Sequence, residues 1–161
     1  MLPAEVREFE RLHSDAEVSL FAEEFWRRRD PEPEVEGNPA RDRFRERVTA
    51  ADRLYAEGSV RGSLTDRGRA LVLLGPPSLL RAGRRTSPAW RPADARRESM
   101  PVRRIPVETW EYGVGDLPPH LAARLDGARA VSLTFEVGDR TRLVEGGDYL
   151  QLAAEAMVRL P

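Results

Sequence analysis

The sequence predicts an α+β domain, with N-terminal helices packed on a mostly antiparallel sheet of about four strands and a C-terminal helix. Apolar residues recur at helical spacing through the first third of the chain. They alternate with polar residues over 131–137, and again over 107–112. The strands come in a run with helices on both sides, the order expected of α+β rather than alternating α/β.

Residues 3–12 read as a short helix with Val6, Phe9 and Leu12 on one side. Ser14 and Glu17 make a capping-box pattern for a second helix over 14–29, striped by Val18, Phe21 and Phe25. Asp30-Pro31 ends it, and the acidic, proline-rich DPEPEVEGNP connector follows. Asn38 caps a third helix, Pro39 takes its first position and Gly58 follows its end. Ala70 to Leu74 is a continuous apolar run, expected as a strand buried on both faces, and Gly75-Pro76-Pro77 stops it. Residues 107–112 are a strand with Trp110 and Tyr112 on one face. Residues 131–137 are the clearest strand, and Gly138-Asp139 suits a two-residue hairpin turn leading to a partner strand over 140–144. A last helix opens near Asp148. Both N-terminal helices are expected to pack on this sheet. The chain is read as one domain, 1–161, in which 80–106 is a long arginine-rich loop.

Composition narrows the chemistry. The chain has no cysteine, which excludes disulfides, thiolate catalysis and Cys-ligated zinc. No apolar run approaches the roughly 18 residues of a membrane span, and the first residues, MLPAEVREFERL, lack a signal-peptide apolar core. Membrane association is therefore expected only through a partner or a removed lipid anchor. All 26 basic residues are arginine, each a permanent charge with a forked donor set. Net charge is −1, but residues 1–60 carry −5, residues 61–110 carry +7 and residues 111–161 carry −3. A basic middle third lies between acidic flanks.

The order of these pieces resembles the bacterial GWxTD domain. Gly62, Leu64, Thr65 and Asp66, followed by Arg67-Gly68-Arg69, the apolar strand and Gly75-Pro76-Pro77, are similar to the motif region of that family. Phe25-Trp26-Arg27-Arg28-Arg29-Asp30-Pro31 resembles its FWxxRDP segment, Arg47 to Tyr55 its second helix, and Trp110-Glu111-Tyr112 its W-x-Y strand. The likeness runs to about Val144. Ser63 stands where the family has its namesake tryptophan, so no role resting on that aromatic carries over. The resemblance implies a bacterial protein, exported or lipid-anchored at the cell envelope, and implies no particular activity.

Thr65, Asp66, Arg67, Gly68 and Arg69, with Gly62 before them, have two readings. In the structural one, Thr65 and Asp66 accept backbone hydrogen bonds, Gly68 supplies a backbone conformation that other residues avoid, and Arg67 or Arg69 pairs with an acid such as Asp30 or Glu111. In the catalytic one, Asp66 is a general base beside an anion-binding arginine, a hydrolase. No nucleophile or second carboxylate at a fixed offset supports it, and the structural reading is preferred. Gly113-Val114-Gly115 lacks the third glycine of a dinucleotide fingerprint, and there is no P-loop. His13 and His120 have no ligand partners at metal spacing, and Glu32, Glu34 and Glu36 do not match a calcium loop. No metal, nucleotide or other cofactor is expected.

Arg81, Arg84, Arg85, Arg91, Arg96, Arg97, Arg103 and Arg104 are opposed between 81 and 104 only by Asp94 and Glu98. One reading has them bridging to the acidic flanks of the same domain. The other has them dock on an acidic protein partner, with Trp90 as an apolar anchor. Nucleic acid or an anionic surface is the alternative partner. It is disfavoured because the acidic flanks repel phosphate and no stacking aromatics alternate with the charges. The expectation is a non-enzymatic protein-interaction or structural module of a bacterial assembly.

Overall fold

The computed structural model describes residues 3–88, 102–125 and 127–158. The chain is α+β: helices surround one face of a four-stranded antiparallel sheet, and a C-terminal helix completes the core. Helices α1 (Pro3–Phe9), α2 (Asp15–Arg27) and α3 (Pro39–Leu54) come first. The Ser14–Glu17 capping box forms with both reciprocal bonds, because the Ser14 hydroxyl and the Glu17 carboxylate each reach an N–H that the first turn leaves free. Asn38 accepts from the Arg41 amide at 2.9 Å, and its own amide group donates to the Trp26 carbonyl at 2.7 Å, fixing the end of α2 to the start of α3.

The apolar run at Ala70–Leu74 is helical, a correction to the expected strand. It is the greater part of α4 (Asp66–Leu74), in which Ala70, Leu71, Val72 and Leu74 are all buried. An unbroken apolar run fits a helix enclosed on every side as well as a central strand. The N-cap decides between them: Thr65 Oγ1 accepts from the Gly68 amide at 3.2 Å and the Thr65 carbonyl from the Arg69 amide at 2.8 Å. Gly75, at φ 89°, closes the helix with its N–H on the Leu71 carbonyl.

The fourth strand lies where a loop was expected. Strand β1 (Leu79–Pro88) pairs antiparallel with β2 (Val102–Gly113), from Leu79 opposite Glu111 to Pro88 opposite Val102. The loop reading of 80–106 is thereby corrected at both ends. The β1 sequence, LLRAGRRTSP, has no apolar alternation because neither of its faces is covered; pairing with β2 makes it a strand. Strands β3 (Ala130–Glu136) and β4 (Arg142–Glu145) complete the order β1-β2-β3-β4. Glu136 lies opposite Arg142, so the connection takes in residues 137–141 and is no two-residue turn. Gly138 is not at the positive φ that such a turn requires.

Trp110, Tyr112, Val131, Leu133 and Phe135 fill the inner face of the sheet. Over them lie α4, Ala51 of α3, Leu121 of α5 (Pro119–Ala122), and Leu150 and Ala153 of α6 (Gly147–Val158). Helix α3 reaches the sheet at its end, where Tyr55 packs on Trp110 with ring centroids 5.4 Å apart. Helix α2 corrects the expectation that both N-terminal helices sit on the sheet. It buries no residue, and its rings contact Phe9 of α1 and Phe44 of α3. Phe9, Phe21, Phe25, Trp26 and Phe44 form one continuous chain of aromatic contacts.

Candidate functional site

Two places collect the residues singled out by sequence. The first is the corner where α3, a turn of 3₁₀ helix (Gly62–Leu64) and α4 meet. Gly62 lies against α3 so closely that a Cβ there would overlap the Ala51 carbonyl, and a Cβ on Gly68 would overlap the Gly62 carbonyl. The two glycines let three backbone segments nest. Thr65, buried, donates its hydroxyl to the Gly62 carbonyl at 2.7 Å while capping α4. Asp66 accepts from the Leu143 amide at 2.8 Å, tying α4 to β4. Asp66→Ala is expected to cost about 1–2 kcal/mol of stability by leaving that amide without its acceptor. Chemical denaturation measures it, and an unchanged midpoint would count against the tie.

Ser63 also has a defined task. Its amide donates to Asp52 Oδ1 at 2.8 Å, and its hydroxyl and Arg61 add further bonds to the same carboxylate. These bonds, the Ser63 hydroxyl first, hold the Asp52 carboxyl down at about 2 from an ordinary value of 3.8. A lowered carboxyl contributes stability above its unfolded value and loses that contribution as pH falls through the folded one. Acid titration of the wild type should therefore show a loss between pH 3.8 and about 2 that Asp52→Asn lacks. Parallel acid-unfolding curves for the two proteins would contradict this.

Arg67 turns inward. Its guanidinium lies 3.6 Å from Glu57 and 3.5 Å from Glu108, and 5.1 Å from the centre of the Tyr55 ring. It pairs with these acids and not with Asp30 or Glu111, as sequence suggested; Glu111 instead accepts from Arg81 at 2.8 Å. Each carboxylate has a second tie: Glu57 accepts from the Thr141 amide, and Glu108 from the Trp110 indole N–H. Burial, then the nearby Glu108 charge, pushes the Tyr55 phenol up. Nothing in the sequence marked Glu57, Glu108 or Thr141, which meet only because β2 and the β3–β4 connection converge on the corner. Arg69 is exposed. Gly75 offers its carbonyl to the Tyr112 hydroxyl at 3.3 Å, with Pro76 exposed and Pro77 half-buried after it.

The second place is the basic hairpin. Strand pairing of β2 with β3 begins at Val107, so Val102 to Pro106 has β1 as its only described partner strand, with one further bond from the Val137 amide to the Pro106 carbonyl. The result is a two-stranded arm of Arg84–Pro88 against Val102–Pro106, about 16 Å long, running past the four-stranded sheet. Arg84, Arg85, Arg103 and Arg104 stand on it and Arg81 stands at its base. Trp90, Arg91, Arg96 and Arg97 lie outside the described residues. Arg81 pairs with Glu111 and Arg85 approaches Glu136 at 3.5 Å, so two arginines do bridge to the acidic C-terminal flank. Arg84, Arg103 and Arg104 are exposed and make no ion pair among the described residues. Beside the arm, Arg103, Ile105, Glu136, Asp139, Arg140 and Arg142 line an open dish of about 400 Å³.

Among the described residues no group of three His, Asp or Glu side chains is placed to hold a metal ion, and no helix is long and apolar enough to cross a membrane. His13 is exposed at the start of α2 and His120 lies in α5. Glu32, Glu34 and Glu36 are exposed on the connector.

The molecule is thus an α+β domain bearing an arginine-rich arm. Compared with family models, curated proteins and solved structures, the chain matches none.

Proposed function

We propose that this chain is a non-enzymatic protein-interaction module of a bacterial, envelope-associated assembly, and that the arm docks it on an acidic protein surface. The observation that carries the reading is the arm itself. A two-stranded ribbon is marginal on its own, and this one extends from the sheet with three described arginines exposed and without an ion pair. Arginine forks bind carboxylates bidentately, and they retain less water than an ammonium does. At the corner, by contrast, Asp66, Glu57 and Glu108 are each occupied by an internal bond. The envelope placement rests on the likeness to the GWxTD domain.

Reversing Arg84, Arg103 and Arg104 to glutamate should leave the folded domain intact, because all three are exposed and make no ion pair among the described residues. Affinity isolation from the source cell should then lose proteins that the wild-type chain retains, and association of the wild type should slow as salt rises. Identical retention by both proteins, with no salt dependence, would overturn the proposal.

A further inference from the structure

The geometry points to β1 as the site where the partner adds a strand: we propose that its free edge accepts an extended segment in which acidic and apolar residues alternate. This rests on the interaction-module reading and says how contact is made. Strand β1 is at the end of the sheet order, and no described strand pairs with its outer edge. Leu79 and Leu80 are 43% and 50% exposed, and Arg81, Ala82, Gly83 and Arg84 are exposed as well.

One hydrogen bond shows which backbone groups face that edge. The Pro106 carbonyl accepts from the Val137 amide at 2.9 Å, so the polar backbone atoms of Pro106 point toward β3. Arg84, directly opposite Pro106, is then in a non-hydrogen-bonded pair, and its N–H and C=O point away from β2. By the two-residue alternation of a strand, Leu80, Ala82 and Thr86 present theirs outward too. Among the described residues no strand takes up this row of donors and acceptors, which an incoming strand can bond.

Side chains decide which strand. Leu79, Arg81 and Arg85 stand on the outer face of β1, and Leu80, Ala82 and Arg84 on the side of the core. An added strand with acids on the outer face would set second carboxylates beside Arg81 and Arg85, whose forks hold donors beyond those that Glu111 and Glu136 engage, and its apolar residues would lie beside Leu80 and Ala82. A second copy of this chain is the wrong occupant, since pairing β1 with itself brings Arg81, Arg84 and Arg85 against their own kind.

The probe is a capped ten-residue peptide of alternating glutamate and valine, titrated onto the whole chain by calorimetry. Its controls are the same peptide N-methylated throughout and one with lysine for glutamate. The proposal expects the first to bind and both controls to fail. Ala82→Pro removes one outward N–H while leaving every β1–β2 bond, and should weaken binding roughly tenfold with no change in unfolding midpoint. Equal binding of the N-methylated peptide, or no binding of the Glu-Val peptide, overturns strand addition without relying on any variant. Cellular partners retained by Ala82→Pro but lost on arginine reversal also overturn it, and leave the arm as a charged docking surface. Partners retained by both variants overturn the module reading as well. A wild-type dimer abolished by Ala82→Pro would put a second copy at the edge and refute an acidic partner strand.

Discussion

Arg29→Ala is expected to cost about 3 kcal/mol and to release α1 from the domain. Arg29 and Glu5 are each only 4% exposed at the side chain, and Arg29 Nη2 donates to both Glu5 oxygens at 3.0 and 2.9 Å. The same guanidinium donates to the Phe25 carbonyl at 3.1 Å and lies 3.8 Å from the centre of the Phe25 ring. Removing it takes from a buried carboxylate its nearest described cation; Arg28, at 3.7 Å, is half-exposed and so a weaker partner. Breaking a buried pair from one side costs more than the pair contributes, because a charge is stranded. Helix α1 has seven residues, too few to persist alone. Hydrogen exchange should therefore show α1 unprotected in the variant while the sheet stays protected. The double variant Glu5→Ala/Arg29→Ala should lose less than the sum of the single losses, by about 2 kcal/mol. Additive losses would mean that the pair does not act as a unit.

Arg67→Ala should cost about 2–3 kcal/mol, for a related reason with a different reach. The Glu57 and Glu108 side chains are 12% and 17% exposed, and Arg67 is the cation that approaches both. Its distances of 3.5 and 3.6 Å are looser than those around Arg29, which sets the lower figure. Glu57 holds the start of β4 through the Thr141 amide and Glu108 lies on β2, so the loss should spread across the sheet. Glu108→Gln keeps an oxygen for the Trp110 indole and removes one of the two stranded charges. Combined with Arg67→Ala it should recover part of the loss, measured by denaturant unfolding. A double variant as unstable as the sum of its parts would show that the stranded charge is not the cause.

By itself the sequence determined the fold class and the elements whose signals are local. The Ser14–Glu17 and Asn38–Pro39 starts are made by groups a few residues apart, so they could be placed before any tertiary contact was known. The alternation over β3, and the burial of Trp110 and Tyr112 on one face of β2, follow from a sheet covered on one side only. Tertiary structure decided the rest. Four of the five residues of Ala70–Leu74 are buried and the fifth, Leu73, is half-buried, which blurs the periodicity that separates helix from strand, and the Thr65 cap and its neighbours settle it. Strand β1 is bare on both faces, which erases the same signal from the other direction, and only its pairing with β2 makes it extended. Gly138-Asp139 could not reveal a wider turn, because the Thr141 amide that shapes it is bonded to Glu57, 84 positions away in sequence. The charge excess over 81–104 was plain in the sequence. That its described arginines stand on a two-stranded arm, with Arg67 turned inward to Glu57 and Glu108, depends on which distant segments meet, and no local pattern of residues encodes that.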